Sequence, residues 1–170
     1  MKIIRTLSVA LLIIGATSMP AFAQSERETS VLIGYGVMNF DLSGTGTTSA
    51  FTARVSREVF GNFVLEGGVL FAKPNQQFGS STLIIPEVQL QYHFQAGRFT
   101  PYLGAGLGIA RVSGENVETD WKSTIAFAGG TRFSLNDRTG LFGEFRLRGL
   151  DDFVGTTTDV VGGVVIRLGR

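Results

Sequence analysis

The chain has no cysteine, one histidine, one tryptophan and four prolines among 170 residues. Without cysteine, an exported fold of this size has to be held together by its sheet or core rather than by disulfides. A single histidine and no thiol leave too few ligands for a zinc site, so no metal and no cofactor are expected. The same shortage argues against an enzyme, because nucleophilic catalysis needs a base beside the nucleophile, and His93 is the one candidate. No catalytic residue is assigned. Charge excess is also missing. Without Lys2 and Arg5, thirteen Lys and Arg stand against fourteen Asp and Glu, a net charge of −1. A nucleic-acid binder would carry a basic patch, and none is present.

Long apolar helices are absent as well. The longest apolar run, LSVALLIIGA, lies behind Lys2 and Arg5 and ahead of Ala21-Phe22-Ala23. At about half the roughly 20 residues a membrane helix requires, it reads as the core of a secretory signal peptide with cleavage after Ala23. Residues 1–23 are therefore expected to be removed and 24–170 to form one domain.

What remains is alternation of period two. In Gln89 to Gln95, Leu90, Tyr92 and Phe94 share one face, and Gln89, Gln91, His93 and Gln95 share the other. Such segments recur at about 31–40, 49–59, 62–72, 82–95, 99–112, 121–135, 139–149 and 157–168, which predicts eight strands. Tight breaks at Phe60-Gly61, Ala96-Gly97-Arg98 and Asn136-Asp137-Arg138 alternate with the longer polar connections 41–48, 73–81, 113–120 and 150–156. An even strand number with short turns at one end and longer loops at the other is the layout of an all-β, eight-stranded, antiparallel up-and-down transmembrane β-barrel.

Polarity separates this from a soluble barrel. One face collects Phe51, Ala53 and Val55; Phe63, Leu65, Val69 and Phe71; Leu103, Ala105, Leu107 and Ile109; Ile125, Phe127 and Phe133; Leu141, Phe145 and Leu147; and Val160, Val164, Ile166 and Leu168. The other carries Arg54, Glu58, Glu66, Glu87, His93, Arg132, Glu144, Arg146, Arg148, Asp159 and Arg167. Charges confined to a narrow lumen have to pair, because an unpaired buried ion costs several kcal/mol. They are expected to form an internal salt-bridge network that plugs the barrel. The alternative is a soluble periplasmic lipocalin-like barrel, with the apolar set lining a ligand cavity and the arginines in water.

The glycines of FTPYLGAGLGIARVS fit the barrel reading. Gly104, Gly106 and Gly108 lie two apart on the inner face, where small residues leave room for long side chains. A dinucleotide loop starting at Gly104 would need glycine at Ile109 and a following helix. Phe60, Phe63, Tyr92, Phe94, Phe99 and Phe133 gather beside the short turns, with Phe40, Phe71 and Trp121 beside the long loops, as in two interfacial belts. Arg111 and Trp121, outward near the long-loop end, are candidates for contact with outer-membrane lipid and lipopolysaccharide phosphate, and Arg57 for the opposite headgroups. Phe78 and Phe153 are candidate loop anchors for an unknown surface ligand.

PYLGAGLGIA, NFVLEGGVL and GGTRFSLNDRTGLFGEFRLRGL resemble the small eight-stranded outer-membrane barrels of Gram-negative bacteria, the family of OmpA-like and OmpX/Ail-like barrels. The resemblance implies outer-membrane localisation, the barrel-assembly machinery as a partner during biogenesis, and a structural or surface-interaction role. Similar folds also include lipid A-modifying enzymes with Ser and His near the outer rim, whereas His93 here lies beside a short turn. A narrow porin is a further alternative, but eight strands enclose little more than side chains. The chain departs from the family at its end, where Val164, Ile166 and Leu168 precede Gly169-Arg170 instead of a terminal aromatic.

Overall fold

The structure, a computed structural model, describes residues 27–39, 46–73, 75–76, 79–114, 117–150 and 155–168. The expected cleavage site at Ala23, the aromatics Phe40, Phe78 and Phe153, and the terminal Gly169-Arg170 lie outside them.

Eight strands form the barrel: β1 Thr29–Asn39, β2 Thr47–Phe60, β3 Phe63–Ala72, β4 Gly79–His93, β5 Phe99–Gly114, β6 Val117–Ser134, β7 Thr139–Leu150 and β8 Gly155–Arg167. Each pairs antiparallel with the next, and β1 pairs with β8, so the sheet closes on itself without a free edge. Closure satisfies the backbone internally, the condition for crossing a bilayer with strands. A further two-residue ladder, Asn75–Gln76 against Gly79–Ser80, extends the β3–β4 hairpin beyond the barrel.

The registers fix the tilt. From Tyr35, one path of partners runs through Phe51, Phe71, Ile84 and Arg111 to Trp121. The other runs through Gly162 and Gly143 to Thr131, ten residues further along β6. That stagger is what inclines the strands of a small closed barrel.

The short turns are chemically distinct from the loops. Gly61 and Gly97 adopt positive φ of 52° and 67°, a conformation side chains resist. In the third turn the Asn136 side-chain oxygen accepts the backbone N–H of Arg138 and Thr139, each at 2.9 Å, an Asx turn.

Alternation decides the faces. Leu103, Leu107, Phe127 and Trp121 are among the most exposed side chains, between 57% and 66%. Their inward neighbours Tyr102, Ala126, Ala128 and Arg148 are buried. The apolar face thus points away from the barrel axis, the reverse of a soluble barrel. The described residues carry no lipocalin-type cavity lined by the Phe51, Leu65, Leu107 and Phe127 set, because those side chains point outward. Around the short-turn end the outward rings touch in sequence. Phe60 to Phe63 is 4.6 Å between centroids, Phe63 to Tyr92 5.1 Å, Tyr92 to Phe94 5.0 Å and Phe99 to Phe133 6.1 Å.

Candidate functional site: the barrel interior

Lumenal side chains fall into layers along the axis. Nearest the long loops, the inward ends of β1 to β5 contribute an apolar layer of Met38, Ala50, Leu70, Ala72, Leu83, Ile85 and Ala110, all nearly inaccessible. This layer was not foreseen in the sequence. At the upper ends of β3 and β4 both faces are apolar, so alternation gives no contrast there.

Below it lie eight charged groups linked in one alternating chain. Asp159 Oδ2 accepts Arg148 at 2.8 Å, and Arg148 reaches Glu87 at 2.8 Å. Glu87 pairs in turn with Arg146, which reaches Glu144 at 2.7 Å. Arg54 bridges Glu144 at 2.9 Å and Glu66 at 3.2 Å, and Glu66 accepts Arg132 at 3.0 Å. The chain descends from Asp159 and Arg148 near the loops to Arg132 near the turns, and it joins six strands. Four cations balance four anions, so no net charge is buried. Each ion except Arg132 has a side chain at most 6% exposed.

Neutral groups add to it. Tyr102 donates its hydroxyl to Glu144 Oε2 at 2.8 Å, Gln89 donates to Glu66 at 3.1 Å, and Arg54 Nε donates to Thr52 at 2.8 Å. Phe142 and Tyr102 offer ring faces to Arg54 and Arg132, each 5.7 Å from guanidinium carbon to centroid. Multiple partners per ion are what a low-dielectric site requires, since a single pair seldom repays desolvation.

Arg167 and Glu58 stand apart from this chain. Arg167 pairs with Glu28 at 2.7 Å and donates to Ser134 and the Asn136 carbonyl, at the turn-side mouth. It shares the inward parity, but as the last residue of β8 it sits at the rim instead of mid-barrel. Glu58 lines the same mouth. His93 Nε2 donates to Gln91 Oε1 at 2.8 Å, and the ring stacks on Tyr102 at 5.3 Å. Among the described residues no group of His, Cys, Asp or Glu could hold a metal ion.

The inner glycines serve the neighbouring strands. A Cβ at Gly106 would come within 2.6 Å of Gln89 Cβ, and one at Gly108 within 2.7 Å of the Pro86 carbonyl. Gly130 gives Tyr102 its place, since a Cβ there would lie 2.5 Å from the phenol ring. Room for a side chain crossing the lumen is thus made at Gly130, whereas Gly104, Gly106 and Gly108 allow close approach of β4. On the outer face Arg111 lies over Trp121 at 5.6 Å and Lys73 over Phe71 at 5.8 Å, both near the loop end.

The model of the outer membrane protein beta-barrel domain family matches residues 9–167. The chain belongs to that family. It is an outer-membrane β-barrel protein, and its short turns therefore face the periplasm. Among solved structures, Neisserial surface protein A is similar at 16% identity, covering 84% of this chain and 97% of that one with a TM-score of 0.63. The N-terminal barrel domain of Pseudomonas aeruginosa OprF is similar at 12% identity, covering 82% and 97%, with a TM-score of 0.63. Ail, the attachment invasion locus protein of Yersinia pestis, is similar at 17% identity, covering 86% and 100%, with a TM-score of 0.55. These likenesses are of fold. Among curated proteins, none matches the chain.

Proposed function

We propose that this protein is a non-enzymatic outer-membrane barrel with a structural or surface-interaction role and a closed lumen. The observation that carries the reading is the eight-ion chain beneath an apolar layer. A water-filled pore would have to break several desolvated pairs and wet the Met38, Leu70 and Ile85 layer, so no continuous ion or solute path is expected. The role is then exercised at the surfaces. Arg111 over Trp121 and Lys73 over Phe71 set two cations at the outer-leaflet interface, where a long basic side chain reaches headgroup phosphate while its stem stays in lipid. Lipopolysaccharide phosphate is the partner this arrangement favours, with the barrel-assembly machinery acting during insertion. A loop ligand would dock on 41–48, 73–81, 113–120 and 150–156.

Liposome swelling tests the closed lumen. Vesicles bearing the folded protein should admit small sugars no faster than protein-free vesicles, and porin-like entry would contradict the proposal. For the lipid contact, Arg111→Ala should lower the lipopolysaccharide that co-purifies with the barrel. Unchanged co-purification would remove Arg111 from that role.

A further inference from the structure

The periplasmic mouth is not solidly packed. A cavity of about 520 Å³ opens between the three short turns and rises to Arg132 and His93 beneath the charge chain. Its volume lies within the range of small-molecule sites, roughly 300–1,000 Å³. Neither the surface role nor the closed lumen requires it.

Hydrogen-bond accounting at its inner end defines what fits. Gln91 Oε1 accepts Arg132 at 3.2 Å, which fixes that oxygen as an acceptor. His93 Nε2, 2.8 Å from the same oxygen, must therefore be the donor. A neutral imidazole then presents Nδ1 as an acceptor. Arg132 has five N–H donors; Ser56, Glu66 and Gln91 take three and the Nε–H is buried, which leaves one Nη1 hydrogen for the cavity. Ser56 and Ser134 already accept from Arg132 and Arg167, at 3.2 and 2.6 Å, so their O–H groups remain available to donate. The pocket thus offers donors and acceptors side by side.

Its charge is nearly cancelled. Arg132 is paired with Glu66 and Arg167 with Glu28, which leaves Glu58, Asp137 and Arg98 as the remaining charges of the lining. With one more acid than base among those three, an anion gains nothing on entering.

We propose that this cavity is a binding site for an uncharged, polyhydroxylated solute, one or two sugar units presented from the periplasm. Each sugar hydroxyl both donates and accepts, matching the remaining Arg132 donor, His93 Nδ1 and the serine hydroxyls. Leu135 is the exposed apolar side chain available to the ring carbons, with the buried Val64 and Val165 behind the lining. The source is either a free saccharide or the end of a cell-wall glycan strand, which share this chemistry.

The test is a titration of the isotope-labelled full barrel, in a detergent without a sugar headgroup, with N,N′-diacetylchitobiose, and in parallel with inorganic phosphate. Saturable NMR shifts at His93, Ser56 and Ser134 with the disaccharide are expected. His93→Phe keeps a ring on Tyr102 and removes Nδ1, and should weaken binding about tenfold. Gln95→Trp, at a lining position outside the charge chain, fills the mouth and should abolish it; a heat-modifiable gel shift confirms that both variants fold. Absence of saturable shifts, equal binding by either variant, or a preference for phosphate would overturn the proposal. Pelleting of the barrel with purified glycan strands would support a cell-wall source, and shifts with the disaccharide without pelleting a free saccharide.

Discussion

Glu144 is the residue on which most of the interior converges. It accepts from Arg54, Arg146 and Tyr102, three groups on three strands. Tyr102 reaches it because Gly130 has no side chain. Tyr102→Phe should therefore cost about 1.5–3 kcal/mol, the usual worth of a hydrogen bond to a charged group. Gly130→Ala should cost about 1–3 kcal/mol by displacing the ring. Urea titration of the folded barrel measures both, and a loss under 0.5 kcal/mol in each, about the ordinary effect of a neutral surface substitution, would mean that the phenol is not held as described. His93 was legible as an inward-facing residue beside a short turn. Its stacking on Tyr102 was not, because the two sit on adjacent strands and only the β4–β5 register brings them face to face.

At the scale of the strand, the outward face is a solvent boundary written in alternate residues. Leu107 lies midway along β5, 66% exposed between Val88 and Ile125 on its neighbours. Leu107→Arg should destabilise the barrel in lipid by about 2–4 kcal/mol, the cost of a cation at the bilayer midplane. At Arg111, four residues toward the loops, the native cation rests on Trp121 and the penalty is near zero. Comparable stability for the Leu107→Arg variant, measured by refolding into vesicles, would reverse the assignment of the faces. The strands were readable from sequence wherever one face was wet and the other apolar, as in β4 around Gln89 to His93. Readability failed at Leu83 and Ile85, where both faces are apolar, so the apolar layer in the outer half of the lumen left no periodic signature. It also failed for Arg167, since parity specifies a face and not a depth.

Across the whole molecule, the fold was legible because closure of eight alternating strands leaves few arrangements, and a lumen this narrow leaves buried charges no choice but each other. Which ion meets which was not legible. Arg54 and Glu144 are 90 residues apart, and their 2.9 Å contact depends on the ten-residue stagger accumulated around the barrel. That chain is the central element of this account, linking the proposed closed lumen to strands that cannot slip without unpairing ions. The most direct measurement is the temperature at which the folded barrel converts to the slower-migrating unfolded form on a detergent gel, for the native chain and for Glu144→Gln. Removing one anion from a desolvated network should cost about 3–5 kcal/mol and lower that temperature markedly. Arg57→Gln, on the outer face away from the network, should leave it unchanged. A Glu144→Gln barrel that converts at the native temperature would contradict the account, because the interior charges would then contribute nothing to holding the barrel closed.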